Sequence, residues 1–71
     1  ESKIALAAFA ALSQEVRLDV LRRLVRAGPA GVPAGALAEA AGITAPTMSF
    51  HLKALHGAGL VRSRKDGRSV L

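Results

Sequence analysis

Between Ala36 and Leu71 the spacing of apolar positions changes twice, and each change marks an element. Ala36, Leu37, Ala38, Ala40 and Ala41 make a short, closely packable helix that ends at Gly42, a residue suited to a tight turn. Met48, Leu52 and Leu55 then fall at i, i+4 and i+7, one helical stripe, which directs Pro46, Thr47, Phe50, Lys53 and Ala54 to the opposite side. Thr44 is placed to cap this helix by accepting from the amide of Thr47 or Met48, and Pro46 falls in the first turn, where a missing amide donor costs nothing. Gly57 and Gly59 are expected to close it. Beyond Gly59 the period becomes that of strands: Leu60 to Lys65 runs outward, Asp66-Gly67 supplies a two-residue hairpin turn, and Arg68 to Leu71 begins the return.

Upstream, Ile4, Ala7, Ala8, Ala11 and Leu12 share a broad apolar face of a first helix, with Phe9 beside it. Ser13 is expected to cap a second helix in which Val16, Val20, Leu21, Leu24 and Val25 turn inward, while Asp19 pairs with Arg22 or Arg23. Gly28 to Pro33 reads as a connector, stiffened by its prolines and too short to divide the chain. The fold these elements predict is mostly α with a small β-hairpin: a winged helix-turn-helix, helices followed by a two-stranded wing, forming a single domain over residues 1–71. A core of this size is marginal alone, and pairing with a second copy would relieve it.

Positive charge is concentrated at the C-terminal end. The formal net charge is +5. From Ile43 onward Lys53, Arg62, Arg64, Lys65 and Arg68 are opposed by Asp66 alone, whereas the preceding segment is nearly balanced. A helix whose outer face is short-chained, polar and cationic suits a major groove roughly 12 Å wide, and a basic hairpin beside it suits the flanking phosphates. The candidate groove residues are Thr44, Thr47, Ser49, Phe50, His51 and Lys53; the candidate wing contacts, on phosphates or in the minor groove, are Arg62, Arg64, Lys65 and Arg68. The plainer readings are an amphipathic core helix with a solvated face, and an edge strand guarded by basic residues. His51 reads either as a residue at the edge of the helix packing or as a phosphate contact, and His56 as a surface residue near the helix end. Arg17, Arg22, Arg23 and Arg26 read either as phosphate contacts or as a solvated helix surface.

Three segments together, Phe9 to Leu21, Leu37 to Leu55 with its Ser-Phe-His-Leu-Lys run, and Gly59 to Arg68 with its Gly-Leu-Val entry, resemble the ArsR/SmtB family of bacterial repressors over nearly the whole chain. The resemblance implies a homodimeric repressor that binds operator DNA and releases it when an inducer binds. It also implies that the chain is trimmed in the wing and lacks a last dimerisation helix. Metal-sensing members carry a Cys-x-Cys pair where this chain has Pro33 and Gly35. The chain has no cysteine, and His51 and His56, five apart on one helix, point in diverging directions, so neither a metal site nor a cofactor is expected.

The absence of cysteine excludes a disulfide framework and fits a reducing, cytoplasmic setting. The apolar run from Ile4 to Leu12 is far too short to cross a bilayer and is not marked as a signal peptide by a charged start and cleavage site, and the sequence shows no phosphate-binding glycine loop or nucleophile constellation. Double-stranded DNA is therefore the expected partner, with no enzymatic activity and no membrane contact. A dimerisation or protein-interaction module, such as the front domain of a small-molecule methyltransferase, is the alternative. Such a module has no need of arginines clustered on its wing.

Overall fold

A computed structural model describes residues 2–71. Helix α1 spans Ser2–Ala27, followed by a 3-10 turn at Gly28–Ala30, strand β1 at Val32–Pro33, helices α2 at Ala34–Ala41 and α3 at Ala45–Gly57, and strands β2 at Arg62–Ser63 and β3 at Arg68–Val70. The helices come first and the wing follows, so the fold is a winged helix-turn-helix, mostly helical as the apolar spacing predicts.

Helix α1 is one helix where two are expected. Ser13 does not cap a second helix; it lies inside the continuous one and is only 6% exposed. No glycine or proline interrupts Ser2–Ala27, and alanine, leucine and arginine dominate it, so nothing in the backbone stops the helix at a residue whose hydroxyl would suit a cap. The inward stripe is also narrower than expected. Val20 and Leu24 are buried and Val16 and Leu21 pack at the margin, but Val25 is exposed.

The core joins Val20 and Leu24 of α1, Leu37 and Ala38 of α2, Met48, Leu52 and Leu55 of α3, and Val61 at the entry to the wing. Each large aliphatic side chain removed from water there contributes about 1.5–3 kcal/mol. Both phenylalanines lie outside this core, which is built from aliphatic side chains and Met48.

Between α2 and α3, Gly42 adopts φ +70°, the left-handed conformation that lets its amide donate back to Glu39 and the Ile43 amide donate to the Ala38 carbonyl at 3.0 Å. This tight reversal sets α3 against α2 and folds Ile43 onto the core.

The wing belongs to a three-stranded antiparallel sheet in the order β1-β3-β2. The third strand comes from the connector: Val32 pairs with Ser69 and Pro33 with Arg68. On the other side Arg62 pairs with Val70 and Ser63 with Ser69. The hairpin loop holds three residues, Lys65-Asp66-Gly67, in place of the expected two. The Arg64 amide donates to the Arg68 carbonyl at 2.7 Å and the Gly67 amide returns to Arg64. A two-residue type I′ turn would need a positive φ at Asp66, whereas Gly67 alone takes one here, at +83°.

Candidate nucleic-acid interface

Helix α3 begins as its first residues dictate. Thr44 sits in extended conformation and its Oγ1 accepts from the Thr47 amide at 3.3 Å, while its hydroxyl donates to Thr47 Oγ1 at 2.8 Å. Thr47 keeps its own hydroxyl proton for an outside acceptor. Met48, Leu52 and Leu55 anchor the helix, and Thr44, Thr47, Ser49, Phe50 and Lys53 are all exposed.

His51 departs from the expected contact set. It lies three past Met48 and four before Leu55, at the edge of the apolar stripe, and is only 4% exposed. Its Nδ1 accepts from Arg17 Nε at 3.4 Å, which places the ring proton on Nε2. Burial first, and the Arg17 charge second, hold its pKa below the usual 6.5. A neutral, buried imidazole facing α1 has almost no surface to offer DNA, so His51 is a packing residue of the α1–α3 contact.

Phe50 is half in each role. It is 53% exposed, yet its ring centroid lies 6.4 Å from that of Phe9, and Arg17 Cζ sits 5.9 Å from the centre of its ring. The same guanidinium thus reaches His51 and Phe50, tying α1 to the outer face of α3.

The wing cations divide into two pairs. Arg64 donates from Nη1 to the carbonyls of Pro29 and Ala30, each at 2.9 Å, and its Nη2 lies 3.4 Å from Asp66. Arg68 Nε lies 3.6 Å from the same carboxylate, whose Oδ1 also accepts from the Arg68 amide. Arg64 therefore braces the wing against the 3-10 turn. Arg62 and Lys65, by contrast, have no acidic partner within ion-pair distance among the described residues. On α1, Arg23 pairs with Asp19 at 2.8 Å and reaches the Ala40 carbonyl, which joins α1 to the end of α2.

Two residues outside the sequence-derived set join this surface. His56 Nε2 lies 3.1 Å from Ser63 Oγ, across the gap between α3 and β2. The signal was there in part: Ser49, Lys53 and His56 stand at i, i+4 and i+7 and so share one stripe of α3. Among the described residues no group of histidines and carboxylates could hold a metal ion, and no helix is long and apolar enough to cross a membrane.

Residues 12–64 match the helix-turn-helix domain family. Over 61 residues the chain is 41% identical to an uncharacterized HTH-type transcriptional regulator, YceK, of Bacillus subtilis (strain 168). That alignment takes in 86% of this chain and 60% of the relative, so the chain spans less than two thirds of the relative's length. No solved structure gives a significant match.

Proposed function

We propose, since the chain belongs to the helix-turn-helix domain family, that it is the DNA-binding domain of a transcriptional regulator, with α3 in the major groove and the wing on the adjoining backbone. The observation that carries this reading is the exposure of Thr47, Ser49 and Lys53 on α3 beside two wing cations, Arg62 and Lys65, that no carboxylate neutralises among the described residues. The Bacillus subtilis relative, named as an HTH-type transcriptional regulator, points the same way. The finer reading is a cytoplasmic repressor of ArsR/SmtB type, bound to its operator as a homodimer and released by an inducer. The exposed apolar half of α1 supports dimerisation. It supports equally a dimerisation module without DNA, which the free wing cations argue against.

Two copies reading an inverted repeat would hold their α3 helices about 34 Å apart, one turn of B-DNA. The test is a binding titration of the full-length protein on the region upstream of its own gene and on a scrambled duplex. Thr47→Ala is expected to lose about 1–3 kcal/mol of discrimination while retaining binding to the scrambled duplex. Arg62→Ala or Lys65→Ala is expected to weaken both and to lower the salt slope by about 0.9. Failure of the wild-type protein to bind either duplex would sink the DNA reading.

A further inference from the structure

Between α3 and the wing runs an open groove of about 360 Å³ whose polar lining includes Ser49, Lys53 and His56 from α3, Ser63 from β2 and Ser69 from β3. A helix stripe turned toward a neighbouring sheet is ordinarily apolar. Here the i, i+4, i+7 stripe carries a hydroxyl, an ammonium and an imidazole, and the opposing wall answers with hydroxyls. Among the described residues no carboxylate lines the groove, and Lys53 and His56 are its titratable groups; α2 contributes Ala34 there.

The position of the groove indicates its occupant. If α3 lies in the major groove and the wing approaches the neighbouring minor groove, the sugar-phosphate strand that separates the two grooves passes between helix and wing. We infer that this groove is a phosphate subsite that takes one phosphodiester of that strand, with Lys53, His56 and Ser63 on its oxygens and His56 in its protonated form. The inference rests on the DNA reading and adds the ligand and proton state of one site within it.

The His56–Ser63 contact gives the mechanism. With a neutral ring, either the serine hydroxyl donates to Nε2 or the ring N–H donates to Ser63 Oγ, according to tautomer. When His56 takes a proton from solvent, both ring nitrogens become donors. Nε2 then donates to Ser63 Oγ, the hydroxyl proton is released toward the phosphate, and the added charge sits at the C-terminal end of α3, where the helix dipole favours a cation. His51, buried against α1, belongs to a different contact and serves as the control imidazole.

The experiment is fluorescence anisotropy of the full-length protein on its upstream duplex and on the scrambled duplex, from about pH 8 to about pH 6, where imidazoles titrate. The wild-type protein is expected to bind both duplexes more tightly toward the acid end, by roughly tenfold for one proton taken up. His56→Gln is expected to abolish that response while leaving affinity near pH 8 almost unchanged, and Ser63→Ala to diminish it. Lys53→Ala is expected to lower the salt slope by about 0.9 on both duplexes. Circular dichroism melts confirm that each variant folds, and Ser63→Ala carries the test should His56→Gln not fold. Binding whose pH response survives both His56→Gln and Ser63→Ala, or disappears only with His51→Gln, overturns the subsite and leaves the DNA reading standing. No binding to either duplex overturns both.

Discussion

The two halves of α1 form one unbroken helix and behave in opposite ways. From Ser13 to Ala27 the helix carries five arginine or aspartate side chains and still buries Ser13, Val20 and Leu24 against α2 and α3. From Ile4 to Leu12 it is apolar at every position, yet every residue is exposed, Ile4 at 69%. The more apolar half is the one left in solvent. Burial is decided by what lies opposite a residue: the core side chains of α2 and α3 close over the C-terminal half, whereas in the N-terminal half Phe9 meets α3 only at the half-exposed Phe50 ring, 6.4 Å away. A helix apolar on all sides is the pattern of one enclosed by neighbours, which is the physical ground for proposing that a second copy covers it.

The two halves differ most in what they contribute to stability. Leu24→Ala in the C-terminal half, or Leu37→Ala facing it from α2, is expected to cost about 2–5 kcal/mol through lost burial and the cavity left behind. Leu6→Ala in the N-terminal half is expected to change stability by no more than about 0.5 kcal/mol at dilutions where copies stay apart. Urea melts of the variants at low and high protein concentration measure both. Equal losses at high dilution would mean that the N-terminal half is already buried within one copy.

Next in size is self-association. If the projecting half packs against a second copy, Leu6→Lys puts a charge into that contact and forfeits the burial of a leucine, worth about 1.5–3 kcal/mol. That corresponds to roughly a tenfold or greater rise in the dimer dissociation constant. Val25→Lys, at an equally exposed position near the other end of α1, is the matched control and should leave association as it is. Sedimentation equilibrium distinguishes them, and identical behaviour of the two variants would remove the special standing of the N-terminal half.

The same contrast explains what could be read in the sequence. Helix α3 was legible because three local signals agree: the Thr44 cap, Pro46 in the first turn, and the Met48/Leu52/Leu55 stripe. The wing was legible from its strand period and its Asp-Gly pair, although the loop is one residue longer than that pair implies. Strand β1 was not, because two residues have no period and their partners, Arg68 and Ser69, lie more than thirty positions away. Distance in sequence also hid the role of Arg64, whose acceptors are the Pro29 and Ala30 carbonyls. Ser13 misled for the opposite reason: its side chain suits a cap, but a cap forms only where the backbone leaves the helix, and nothing there makes it leave. At the site, exposure of Thr47, Ser49 and Lys53 followed from helical geometry. The burial of His51 depended on where α1 runs, which periodicity within α3 does not encode.

The smallest expected effect tests the join itself, where the C-terminal half of α1 meets α3 at Arg17 and His51. In the folded chain burial, and then the Arg17 charge, disfavour the protonated ring; in the unfolded chain His51 titrates near 6.5. Above that value the ring is neutral in both states, and its contribution to stability is fully present. As pH falls below about 6.5 the unfolded chain takes up a proton that the folded chain resists, so stability declines toward the lowered pKa of the folded state. Urea midpoints are therefore expected to be level above about pH 7 and to fall between roughly pH 6.5 and pH 5, before the carboxylates begin to titrate. His51→Gln should flatten that fall. Arg17→Gln, which removes the secondary cause and leaves the burial, should flatten it in part, giving the order wild type, Arg17→Gln, His51→Gln from steepest to flattest. His56 is present in all three proteins and drops out of the comparison. A His51→Gln midpoint that falls as steeply as the wild type would mean that the ring is solvated in solution, and that the burial of α1 stops short of Arg17.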